Sequence, residues 1–192
     1  MLIPSFALAD SNLPVDQEKG YPTVEEIKQM NEALDKMVIE ANKKLEAGET
    51  EIFLEEEIGE TDETVSLSFK SENVFPSDQK TGIQLLAAPS GKKIYYASVK
   101  NTAGFNFSHQ LAGEFSYGGG KIKGATKDVD LTGAMYSESH NTWIDILDPS
   151  VWVVQSHGKF KALKYLAEYN TYLTVKLLGS GDYRIERASI DF

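Results

Sequence analysis

The sequence predicts a mainly β (α+β) protein, an antiparallel β-sandwich or barrel of about eight to ten short strands led by one N-terminal amphipathic helix. Three observations carry this. Apolar residues recur at helical spacing over residues 23–47, and the period changes to two from residue 51 onward. Clusters rich in Gly, Pro, Asn, Asp and Ser then punctuate the chain at regular intervals to its end. Finally, 192 residues with 41% hydrophobic and 25% charged content suffice to bury a core without disulfides or metal.

The helix is the clearest element. Thr23-Val-Glu-Glu26 reads as a capping box, in which the Thr23 hydroxyl accepts from the Glu26 amide and the Glu26 carboxylate accepts from that of Thr23. Ile27, Met30, Leu34, Met37, Ala41 and Leu45 fall at spacings of three and four and line one face. Glu40 and Lys44 are spaced as an i,i+4 ion pair, and Gly48 supplies the stop. The apolar stripe is expected to dock on the protein's own sheet, since three soft heptads are too few for a coiled coil.

The strands follow from alternation. Val65, Leu67 and Phe69 alternate with Ser66, Ser68 and Lys70. Ile83–Ala87 and Lys93–Lys100 flank Pro89-Ser-Gly91 as a hairpin, and Phe105 and Phe107 alternate again. Leu111–Ser116 and Lys121–Ala125 flank Tyr117-Gly-Gly-Gly120. Ala134–Tyr136 and Thr142–Ile146 flank Ser137–Asn141, which reads as a turn. Asp148-Pro149-Ser150 turns the chain into Val151–Gln155. Phe160–Tyr165 and Tyr169–Leu178 follow, with Lys159–Ala167 open to either strand or short helix. Gly179-Ser-Gly-Asp182 turns the chain into Tyr183–Ile190.

Charge is unevenly placed. The net charge is −10, yet residues 10–72 hold 18 acids and 6 bases, so the acidity belongs to the N-terminal third. Such a chain repels phosphate backbones, which argues against nucleic-acid binding. The absence of cysteine excludes thiolate metal sites, disulfides and thiol catalysis. Ala7-Leu8-Ala9 after a short apolar stretch has the small-x-small pattern of a signal-peptidase site, so residues 1–9 are expected to be a signal-peptide remnant and the protein secreted. The expected organisation is then a flexible leader over 10–22, the helix over 23–48 and a β-sandwich domain over 49–192. No segment has the length and apolarity of a membrane span.

Catalytic chemistry finds little purchase. There is no G-x-S-x-G, no S-x-x-K and no phosphate loop around Gly118–Gly120. Glu51, Glu55 and Glu57 resemble only in part the carboxylate strand of one β-sandwich glycosidase group, because Phe53 stands where the central Asp belongs. On a plain strand Glu51 and Glu55 lie ~13 Å apart, too far for either glycosidase geometry. A charged strand that discourages edge pairing explains them better. The three histidines, His109, His140 and His157, form no HxH or HExxH pair. His140 reads as a turn residue near Asp145, and the fold could bring His109 and His157 together. Asp128 and Asp130 offer hard oxygen ligands near a turn and are weak calcium candidates; otherwise neither metal nor cofactor is expected.

Aromatic residues are the remaining signal. Trp152 lies in Val151-Trp-Val-Val154, apolar on both faces, and is expected in the core. Trp143 alternates out of phase with Ile144 and Ile146, which points it away from the core. Trp143, with His140, Asp145 and Tyr136, is therefore the candidate binding set. The stretch from His109 to Gly120 (HQLAGEFSYGGG), with the signal tail and lack of cysteine, resembles small secreted proteins of Gram-positive bacteria. That resemblance implies an extracellular, non-enzymatic role and no catalytic residues. The expected function is a secreted binding module for a glycan or surface protein. The alternatives are a secreted polysaccharide or peptide hydrolase, and a structural or inhibitor-like acidic partner protein.

Overall fold

A computed structural model describes residues 22–59, 62–74, 90–102, 106–133, 136–162 and 167–191. The signal-peptide reading, the leader up to residue 21, the Ile83–Ala87 strand, Phe105 and residues 163–166 lie outside the described residues. The elements run α1 (Val24–Glu46), β1 (Glu51–Glu57), β2 (Thr64–Asn73), β3 (Ser90–Asn101), β4 (Phe107–Gly118), β5 (Lys121–Ala125), β6 (Asp128–Gly133), β7 (Tyr136–Asp148), β8 (Val151–Ala162), β9 (Ala167–Leu178) and β10 (Tyr183–Asp191).

Two antiparallel sheets form a sandwich, not a closed barrel. One has the order β1-β2-β3-β4, and the far edge of β4 is shared by β5 and β6. The other has the order β10-β9-β8-β7. Alternation places Val65, Leu67, Phe69, Tyr95, Ala97 and Leu111 of the first sheet against Val154, Phe160, Leu173, Val175 and Ile185 of the second, all buried. Rings join the two layers: Phe107 packs on Phe160 at 4.8 Å, and Tyr183 meets Phe69 and Phe115 edge-on at 5.2 and 5.3 Å.

α1 behaves as its sequence requires. Both bonds of the capping box form, and Gly48 follows the C-cap with φ 87°, a left-handed conformation that suits glycine. Ile27, Met30, Leu34, Met37 and Ala41 are buried against β10, β2 and β1. Lys44 departs from expectation, since its ammonium turns to Glu49 at 3.4 Å instead of to Glu40. Both partners are partly exposed, so little stability rides on the choice.

The helix also does something its stripe does not announce. The Asn31 amide donates to Ile190 O at 2.7 Å while its oxygen accepts from Ile190 N at 2.9 Å. Asn42 does the same at Ile185, at 2.8 and 2.9 Å. Each side chain thus pairs both the N–H and the C=O of one residue on the open edge of β10. On the opposite sheet, β1 is an edge strand lined by Glu51, Glu55, Glu56 and Glu57, as its charge suggested.

One turn of the sequence reading is strand. Ser137–Asn141 is not a turn, because β7 runs unbroken through it, paired with Lys161–His157 of β8. Asp128 and Asp130 lie on β6, paired with Ala112 and Gln110, and Asp128 opens that strand beside the connection from β5. Residues 137–141 are exposed on both faces of the strand, so their composition mimics a loop.

Candidate functional site

Register across the second sheet builds its outer face row by row. Trp143, Gln155, Thr174 and Arg187 face one another in sequence across β7, β8, β9 and β10. The adjacent row is Asn141, His157, Tyr172 and Ser189. With side chains alternating along each strand, these eight residues share one surface, away from the core.

That surface is organised by polar contacts to aromatic rings. The Trp143 indole N–H donates to Asp145 Oδ2 at 2.9 Å, and the Gln155 amide donates to the same oxygen. Trp143 is 36% exposed, so its ring is held in place but reachable. His157 stacks on Tyr172 with ring centroids 4.6 Å apart and planes 12° from parallel. Its Nε2 meets Asn170 Oδ1 at 3.0 Å. The Arg187 guanidinium covers the Tyr172 ring at 4.0 Å, and its Nε donates to Ser189 Oγ at 2.9 Å. The result is an outer surface, or platform, of stacked rings, amides and one guanidinium, with the Trp143 indole at one end.

The second constellation is internal. His109, on β4, is buried between the sheets. Its Nδ1 meets Thr171 Oγ1 and its Nε2 meets Ser156 Oγ, both at 2.8 Å. Ser156 continues to Thr142 at 2.9 Å, and Thr142 to His140 Nδ1 at 3.1 Å. A polar chain therefore runs from the exposed rim at His140 to the centre of the sandwich. Burial, with smaller contributions from His140 and His157, pushes the His109 imidazole down to about 4. Its neutral ring keeps both hydroxyl contacts, since a hydroxyl can donate or accept.

Ser156, His109 and Thr171 stand in the order of a nucleophile, a base and an orienting group. They are 3%, 0% and 1% exposed, so a substrate cannot touch the serine in this arrangement. The trio joins the sheets. Gly158 makes room for it: a Cβ there would come within 2.6 Å of Thr171 Oγ1 and 3.2 Å of His109 Nδ1. Gly158→Ala should therefore cost about 1–3 kcal/mol by overpacking. Urea denaturation at pH 7 checks this, and an unchanged midpoint would show that the Thr171 rotamer yields freely.

Of the candidate binding set, Trp143 and Asp145 belong to one outer cluster. His140 lies in phase with Thr142 on the opposite face and belongs to the internal chain. Tyr136 opens β7 opposite Ala162, and only its backbone is described. Trp152 is half-buried, not fully buried, and packs at the border of the core with its indole N–H unpaired among the described residues. Asp128 and Asp130 sit two apart on one strand face, about 7 Å from each other, where no loop wraps a cation. Asp130 instead borders a shallow hollow of about 670 Å³ with Lys100, Ser108 and Gln110. Among the described residues no three His, Asp or Glu side chains gather as a metal would need, and no helix is long and apolar enough to cross a membrane.

Sequence reasoning missed Gln155, Tyr172 and Arg187 as platform members. Their one signal was phase, since each alternates with a core residue on its own strand. No protein-family model, curated protein or solved structure matches the chain.

Proposed function

We propose that this protein is an exported, non-enzymatic binding module that holds a glycan on the outer face of β7–β10. The observation that carries the reading is Trp143, a partly exposed indole fixed to Asp145 at the end of the row that continues through Gln155 and Thr174 to Arg187. Pyranose rings present one apolar face and a rim of hydroxyls. The reachable Trp143 indole beside Gln155, Asn141 and Asn170 offers stacking and hydrogen bonding together. A fixed indole also loses little conformational entropy on binding, which favours a rigid site over a mobile one. Export rests on Ala7-Leu8-Ala9, and an extracellular module of this kind agrees with the resemblance to small secreted Gram-positive proteins.

The test is a glycan array probed with the full chain, followed by calorimetric titration of its best ligand. Trp143→Ala should weaken binding about tenfold or more, equivalent to roughly 1.4 kcal/mol, with thermal unfolding little changed. Equal affinity in wild type and variant, or an array without hits, overturns the reading.

A further inference from the structure

The platform has a polarity along its row, and Arg187 supplies it. Strands β8, β9 and β10 carry five lysines and arginines. Lys159 and Lys161 pair with Glu168, Lys176 pairs with Glu186, and Arg184 pairs with Glu46. Arg187 alone has no carboxylate within ion-pairing distance among the described residues. Yet it is not loose: its plane lies on Tyr172 and its Nε is held by Ser189. Its two terminal nitrogens make no hydrogen bond or ion pair among the described residues and are left as an oriented, exposed fork.

We infer that the platform selects an acidic oligosaccharide whose carboxylate seats on Arg187 while a neutral ring stacks on Trp143; this rests on the glycan reading above. Three strand spacings separate the two residues across the row, about 14 Å, which is the span of a short oligosaccharide rather than of one sugar. A carboxylate matches a guanidinium fork in charge, planarity and the spacing of its two oxygens. Tyr172 raises the benefit further, because a stacked guanidinium is already ordered when the ligand arrives. At the Trp143 end the polarity reverses. Asp145 accepts from both Trp143 and Gln155 there, so a second carboxylate would be repelled and a neutral sugar favoured.

The experiment compares two probes of identical backbone: a short neutral oligosaccharide ending in a single uronic acid, and the same oligosaccharide with that one carboxyl group reduced to an alcohol. Binding is followed by titration at 50 and 300 mM salt. The full chain should bind the acidic form about tenfold more tightly at low salt, and high salt should shrink that margin. Arg187→Gln should erase the preference, with the acidic form falling to the affinity that the same variant shows for the reduced form. Arg187→Lys should restore only part of it, since an ammonium lacks the fork. Equal binding of both probes, lost in Trp143→Ala, would overturn the acid selectivity and leave the glycan platform standing. A preference that survives Arg187→Gln would place the carboxylate elsewhere and overturn the assignment. Binding of neither these probes nor any array glycan overturns the platform itself.

Discussion

Between pH 6.5 and pH 4 the folded protein should lose on the order of 3 kcal/mol of stability through His109 alone. The unfolded imidazole takes up its proton near 6.5, whereas burial between the sheets delays uptake in the folded state to about 4. Within that window the unfolded chain binds more protons, so stability falls as the pH falls. Above 6.5 both states are neutral and the contribution is complete; below about 4 both are charged and the loss stops growing. Other acid-sensitive groups add their own slope, so the clean measurement is a difference. His109→Leu removes the titration yet leaves Ser156 its contact with Thr142 and Thr171 its contact with Gly158 O. Urea midpoints of wild type and variant at pH 7.5 and 4.5 should converge on acidification, with His109→Leu the less pH-sensitive of the two. Parallel curves would mean that water reaches His109 and that its burial does not govern its proton.

That sensitivity could not be read from the order of the residues. His109 sits on one sheet and its partners Ser156 and Thr171 on the other, and only the packing of the two sheets buries the imidazole among them. What the sequence did disclose is whatever is local. The Thr23–Glu26 capping box, the Ile27–Ala41 stripe and the Val65–Phe69 alternation each need only a few neighbouring residues, and each appears in the fold as expected. Trp143 could be aimed outward because phase along one strand is also local. Row membership is not: Gln155 and Arg187 join Trp143 through two intervening pairings and a bulge between Ile185 and Arg187 that resets the phase of β10. Ser137–Asn141 misled for a related reason. A strand end wet on both faces carries the composition of a loop, and only its partner in β8 makes it a strand.

The same distinction separates the buried face of α1 from its two asparagines. Asn31 and Asn42 are eleven residues apart, about 16 Å along a helix. Ile185 and Ile190 are five apart, about 16 Å along a strand. The match in rise lets one helix meet the backbone N–H and C=O of two residues of β10 with both donor and acceptor of each amide. Hydrophobic packing alone would place α1 near this edge but would leave those peptide groups partly buried and unpaired. Replacing both asparagines with alanine should therefore destabilise the protein by roughly 2–4 kcal/mol, the sum of two losses of about 1–2 kcal/mol each. Their separation makes the two effects additive. Asn42→Asp should fall between wild type and Asn42→Ala, because a carboxylate still accepts from Ile185 N–H but faces Ile185 O without a proton to offer. Freed of its cover, the β10 edge also becomes a template for another strand, so the double variant should self-associate on ultracentrifugation at concentrations where wild type does not. A double variant within about 0.5 kcal/mol of wild type would show that water satisfies the edge as well as the amides do, and that α1 is held by its apolar stripe alone.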